Sequence, residues 1–112
     1  MTALLSQYFD DLEVGNTQVT RGRTLTESDV VQWCALTGDW FLMHSDREFA
    51  ARSIFGQRLL PGVLLVAYSG GLGVPPDTRS VVANYGMDAI RIGPVVTEDH
   101  GTMEFKLFFV PA

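Results

Sequence analysis

The stretch Pro61 to Val74 carries no charged residue, and its only polar side chains are Tyr68 and Ser69. Pro61-Gly62 opens a helical candidate over Val63 to Leu72 that is apolar nearly all round. A helix without a polar face has to be buried on every side, so the rest of the chain must supply its cover. The stretch is too short and too glycine-rich for a membrane span, which needs about 20 residues. The expectation is therefore a central helix of a folded domain, with no membrane partner.

The surroundings suit that role. At 112 residues the chain is long enough for one domain, spanning residues 1–112, and too short for two. It is 46% hydrophobic and 19% charged, which allows a core and argues against disorder. The formal charge of -5 opposes nucleic acid as a main partner, because phosphate backbones need a basic face. A single cysteine, Cys34, cannot close an intrachain disulfide, which favours a reducing compartment. Met1 to Phe9 lacks the basic flank and apolar run of a signal peptide, so a cytoplasmic location is expected.

Leu12 to Gly15 reads as a turn and Thr17 to Thr24 as a first strand. Thr26, with Asp29 three residues on, marks a helix start. Val30, Val31, Trp33, Cys34 and Leu36 fall largely on one face of that helix, and Gly38 ends it. Ser45, with Glu48 at capping-box spacing, predicts a second, short helix through Phe49-Ala50-Ala51, broken near Phe55-Gly56. After Pro75-Pro76-Asp77 the pattern turns to sheet, with strands predicted over 80–85, 88–96 and 102–110. The order of strand, helices and sheet predicts an α+β domain with a helix packed on an antiparallel sheet.

Asp39 and His44 are the candidate chemical pair. Five positions apart, they would diverge by about 140° on a continuous helix, so a shared site requires a non-helical segment after Gly38. Trp40, Phe41, Leu42 and Met43 lie between them, bulky and apolar. A loop of such residues shields the two polar groups from water, and that setting suits proton transfer by a carboxylate and an imidazole. From spacing alone a plainer reading stands beside this one, with Asp39 a turn residue and His44 half-exposed before a helix start.

The run Leu36-Thr37-Gly38-Asp39-Trp40-Phe41-Leu42-Met43-His44-Ser45-Asp46, continuing through Phe49-Ala50-Ala51 to Phe55-Gly56-Gln57-Arg58-Leu59-Leu60-Pro61-Gly62, resembles the hydratase motif of the MaoC-like (R)-specific enoyl-CoA hydratase/dehydratase family. The resemblance extends more weakly to Phe9 to Gly15 and to Ile90 to Val95. It implies a hot-dog fold, an antiparallel sheet wrapped around the central apolar helix. Relative to that pattern the sheet is expected to be short of one or two C-terminal strands. It also implies water addition or removal at the 2,3-double bond of an enoyl-thioester, with Asp39 and His44 handling the water. Coenzyme A or acyl carrier protein would carry the substrate, with no other cofactor and no metal.

By the same resemblance the Gly62 backbone N–H, at the start of the central helix, would stabilise the thioester oxygen as it becomes enolate-like. The other reading of Gly62 is a helix start after proline. Trp40 and Phe41 are expected at the acyl group, and Arg58 is the first choice among Arg47, Arg52, Arg58 and Arg91 to meet a carrier phosphate. Three residues depart from the pattern: Phe41-Leu42 stand where many members have Asn-Pro, and Pro61 where they have His. A short sheet leaves the helix in need of cover, so a homodimer or higher oligomer, or a heterodimer, is expected. A non-catalytic acyl-thioester-binding subunit of a hetero-oligomer and a hot-dog thioesterase are the alternative functions.

Overall fold

Helix α1 (Glu27–Thr37) begins where its cap predicts. The Thr26 side chain meets the third helical N–H, and Asp29 Oδ2 accepts from the Thr26 N–H at 2.8 Å. Asp29 also takes an ion pair from Arg23 at 2.9 Å, which offsets the burial of its carboxylate. At the other end Gly38 adopts φ 76°, where its N–H closes onto the Cys34 carbonyl at 2.9 Å. The buried face of α1 is Val30 and Cys34, each 1% exposed. Val31 and Leu36 are exposed instead, contrary to the expected face. Leu36 lies about 200° round the helix from Cys34, at 100° per residue, so the apolar residues of α1 outnumber the positions on its inner side.

The structure is a computed structural model and describes residues 4–74, 86–93, 102–103 and 106–108. The chain groups into two units, Met1–Gly22 with Tyr68–Ile90 and Glu104–Ala112, and Arg23–Ala67 with Arg91–Met103. In the first unit, β1 (Thr17–Val19) pairs antiparallel with β4 (Lys106–Phe108), in the register Thr17↔Phe108, Gln18↔Leu107, Val19↔Lys106. Gln18 also accepts from the Leu4 N–H at 2.9 Å, which ties the N-terminal 3-10 turn at Leu4–Ser6 to the strand.

In the second unit, β2 (Arg23–Thr24) pairs antiparallel with β3 (Thr102–Met103). The predicted strand over 17–24 is thus two strands with different partners. Between them the Thr20 hydroxyl donates to the Arg21 carbonyl at 3.0 Å. This unit also holds α1, α2 (Leu42–Ser45) and α3 (Arg47–Ala51), with Leu25, Val30, Cys34, Ala50, Leu60, Leu64 and Leu65 buried. The cap of α3 is Asp46 rather than Ser45: its carboxylate accepts from the Phe49 N–H at 2.9 Å. The Ser45 hydroxyl instead donates back to the Trp40 carbonyl at 2.8 Å.

Helix α4 (Gly62–Gly73) forms as predicted, but it is not covered all round. Leu64, Leu65, Leu72 and Gly73 are buried, whereas Val63, Ala67, Gly70, Gly71 and Val74 form an exposed stripe at helical spacing. Residues 86–93 have no regular secondary structure, which removes the described part of the strand expected over 88–96; the strand expected over 80–85 lies outside the described residues. Among the described residues no helix is long and apolar enough to cross a membrane.

Candidate active site

The sequence asks Asp39 and His44 to escape the geometry of a continuous helix, and Gly38 makes that possible. Beyond it Asp39, Trp40 and Phe41 are non-helical, and the helix resumes only at Leu42. The expected loop is therefore shorter than the whole interval, because His44 rides on the single turn of α2. Phe41 holds that turn, its carbonyl accepting from the N–H groups of His44 at 2.8 Å and Ser45 at 3.1 Å.

The two side chains converge. His44 Nε2 lies 4.0 Å from Asp39 Oδ2, with the His44 side chain 14% exposed and that of Asp39 42%. On the far side of the ring, His44 Nδ1 lies 2.8 Å from the Leu59 carbonyl oxygen. A carbonyl only accepts, so Nδ1 carries a proton, and in the neutral tautomer with that proton the Nε2 lone pair faces Asp39. Leu59 is itself fixed to α2, donating its N–H to the Met43 carbonyl at 3.0 Å. The Phe41 ring stands edge-on to the imidazole at 5.5 Å and 79°.

Asp39 is tethered at three points. Its N–H donates to the Thr37 hydroxyl oxygen at 3.2 Å, and that hydroxyl donates to the Trp33 carbonyl at 2.7 Å. Its Oδ1 accepts from the Phe41 N–H at 3.4 Å, and its Oδ2 from the Trp33 indole N–H, also at 3.4 Å. Trp33 and Leu59 are the supporting residues that the sequence reading missed. Trp33 was counted in the apolar face of α1, although an indole N–H near a protein interior calls for an acceptor. Leu59 acts through its backbone, to which no side-chain pattern points.

Of the other expected site residues, Trp40 and Phe41 are 53% and 58% exposed beside the pair. Gly62 opens α4, where the first N–H groups of a helix have no partner within it. A Cβ there would lie 3.0 Å from Ile92 Cδ1 and 3.3 Å from Cγ2, so Ile92 occupies the space that a side chain would need. The hydrogen bonds of Asp39 and His44 run to Trp33, Thr37, Phe41 and Leu59, and none runs to Gly62.

Arg58 departs from expectation. Its side chain is 10% exposed and its guanidinium is paired to Glu27, which also takes Arg47 at 2.9 Å. The cation expected to meet a phosphate is instead a buried guanidinium, two residues before buried Leu60, paired to the partly exposed Glu27. Arg47 and Arg58 together hold the Glu27 carboxyl below its ordinary value, the Arg47 hydrogen bond contributing most. Cys34 is buried, and desolvation, followed by the Asp39 charge, pushes its thiol up, which disfavours a thiolate nucleophile. Among the described residues no group of three His, Cys, Asp or Glu side chains is placed to hold a metal.

Residues 11–109 match the family described as the MaoC like domain. Protein MaoC of Klebsiella aerogenes is 44% identical over 102 residues, covering 90% of this chain and 30% of that protein. A 3-hydroxybutyryl-CoA dehydratase of Methylorubrum extorquens is 42% identical over 65 residues, covering 58% of this chain and 38% of that one. The chain thus spans about a third of the length of these two relatives. Among solved structures, a monoamine oxidase regulatory protein of Archaeoglobus fulgidus superposes with a TM-score of 0.78 at 31% identity, over 89% of this chain and 68% of that one. The fold is that of the MaoC-like and (R)-hydratase proteins, the hot-dog fold.

Proposed function

This chain belongs to the MaoC-like domain family, and from that premise we propose that it adds water to, or removes it from, the 2,3-double bond of an enoyl-thioester. The observation that carries the reading is the facing pair, with His44 Nε2 4.0 Å from Asp39 Oδ2 and Nδ1 engaged by the Leu59 carbonyl. The two groups are too far apart for a direct hydrogen bond, and one water can touch both.

In the hydration direction Asp39 accepts one O–H of that water and His44 Nε2 takes the proton of the other. The water oxygen bonds to carbon 3, and the electron pair of the double bond moves through carbon 2 onto the thioester oxygen. A proton from the pair then reaches carbon 2, so H and OH are added and the pair ends as it began. The developing oxyanion needs a donor; the free N–H of Gly62 and the dipole of α4 supply that chemistry in this reading. Trp40 and Phe41, exposed and apolar, would receive the acyl chain. With Arg58 paired to Glu27, the carrier phosphates are left to other groups.

An oligomer forms part of the same reading. The stripe Val63, Ala67, Gly70, Gly71 and Val74 is apolar surface that a second subunit would bury. The coenzyme A or acyl carrier protein portion identifies the substrate class, and the M. extorquens relative is named for a 3-hydroxybutyryl-CoA substrate.

The test is incubation with crotonyl-coenzyme A in deuterated water. Loss of the conjugated-thioester absorbance, with a 3-hydroxybutyryl product deuterated at carbon 2, supports the reading. Free thiol release would indicate a thioesterase instead, and binding without turnover a non-catalytic subunit.

A further inference from the structure

The carboxylate of Asp39 has to present one particular oxygen to His44, and a side chain on a loop between two helices is free to rotate unless something holds it. Two donors hold it here. The Phe41 N–H engages Oδ1 and the Trp33 indole N–H engages Oδ2, each at 3.4 Å. The first is backbone and belongs to the loop itself. The second comes from α1, a helix fixed at its start by the Thr26–Asp29 capping box and at its end by Gly38. It reaches the same oxygen that lies 4.0 Å from His44 Nε2.

We propose that Trp33 is a positioning residue for Asp39: its indole N–H turns Oδ2 toward the imidazole and keeps the water-holding oxygen in place. The role rests on the reading of Asp39 and His44 as a water-handling pair. Trp33 is tied to Asp39 a second time, through the Thr37 hydroxyl that donates to the Trp33 carbonyl and accepts from the Asp39 N–H. The indole and the loop backbone are thereby referenced to one turn of α1. An indole N–H is a donor only, and so it fits an ionised carboxylate and imposes no proton of its own on the pair. A contact of 3.4 Å is long for a hydrogen bond, and catalytic contacts of this kind shorten when substrate closes the site.

Trp33→Phe keeps an aromatic ring and removes the N–H. Outer partners that orient a metal ligand are worth about 10- to 100-fold when removed, and the lower end of that range is expected for a donor orienting a reacting carboxylate. The expected result for Trp33→Phe is a fall in kcat of about tenfold with KM within about twofold, because the oxygen is misplaced while the acyl-binding surface is untouched. In an Asp39→Asn background the same change should cost less than about twofold, since the interaction it removes has already been altered. A merely structural role would lower the double variant by the full factor again.

A readout without substrate runs alongside. In 1H–15N spectra of the unliganded protein, the Trp33 indole resonance, identified by its loss in Trp33→Phe, should move upfield in Asp39→Asn while that of Trp40 stays. An indole resonance indifferent to Asp39→Asn overturns the proposal whether or not any variant folds poorly. So does wild-type kcat in Trp33→Phe, or full additivity of the two substitutions. A wild-type protein that hydrates no enoyl-thioester overturns the functional reading instead, and the indole resonance then decides the Trp33–Asp39 bond on its own.

Discussion

Leu59 and His44 form a two-sided clip: the Leu59 carbonyl receives His44 Nδ1 at 2.8 Å, and the Leu59 N–H goes to the carbonyl of the preceding residue, Met43, at 3.0 Å. The extended segment before α4 thus selects the tautomer of an imidazole carried by α2.

The clip predicts different outcomes for two substitutions at one position. Asparagine at position 44 can offer an amide N–H where Nδ1 stood, so His44→Asn should keep the Leu59 carbonyl paired. His44→Ala leaves that half-buried carbonyl without its partner and should cost about 1 kcal/mol more than His44→Asn in urea denaturation. Equal stabilities for the two variants would mean that the contact does not bear on folding.

Glu27 joins three segments through Arg47 at the start of α3 and Arg58 ahead of Leu59. Its carboxyl is held below the ordinary value of 4.5. A group depressed in the folded state contributes stability above its unfolded value and loses it as pH falls through the folded one. Glu27→Gln should therefore lower Tm at neutral pH, and the gap to wild type should close as pH drops below about 4.5. The carboxylate is partly exposed, so the neutral-pH difference should also shrink in high salt. A gap that stays constant across pH would place the effect in packing.

Gly62 meets Ile92 where a Cβ would sit, 3.0 Å from Cδ1. Gly62→Ala makes Ile92 give way by a few tenths of an ångström, and because that side chain is 45% exposed the cost should stay below about 1 kcal/mol. Ile92→Ala in the same chain should remove that cost, giving a clear coupling in a double-mutant cycle by thermal unfolding. Simple additivity would show that Ile92 yields freely.

What the sequence disclosed was governed by how local each determinant is. Thr26, Asp29 and Gly38 act within one turn of α1, and their pattern sets its ends. The capping-box spacing pointed to Ser45, and the structure uses Asp46, one residue on, because the Ser45 hydroxyl is drawn back to the Trp40 carbonyl. The spacing of Asp39 and His44 required a break in the helix, and Gly38 provides it. The turn of α2 was not legible, since four residues of helix carry no period. Exposure depends on what packs against a helix, and the uniform apolarity of α4 did not reveal that Val63 and Ala67 face outward. Arg58 looked like any cation before a helix; its pairing with Glu27 joins residues far apart in sequence.

Capping by Asp46 carries its own expectation. Asp46→Ala should destabilise the protein by about 1 kcal/mol, and Ser45→Ala should not reproduce a loss at the start of α3. Amide exchange at Phe49, whose N–H the Asp46 carboxylate accepts, reads this directly. Faster exchange in Asp46→Ala alone is the predicted result; faster exchange in Ser45→Ala alone would restore Ser45 as the cap.

The central claim is that Asp39 and His44 share one water at the enoyl double bond. Its most direct measurement is the rate of crotonyl-coenzyme A hydration by the wild-type protein, Asp39→Asn and His44→Asn, each checked for folding. A loss of at least about 100-fold is expected in each variant, within the range of a positioned acid–base group. The two losses should not multiply when combined. Hydration at the wild-type rate in either folded variant would contradict it.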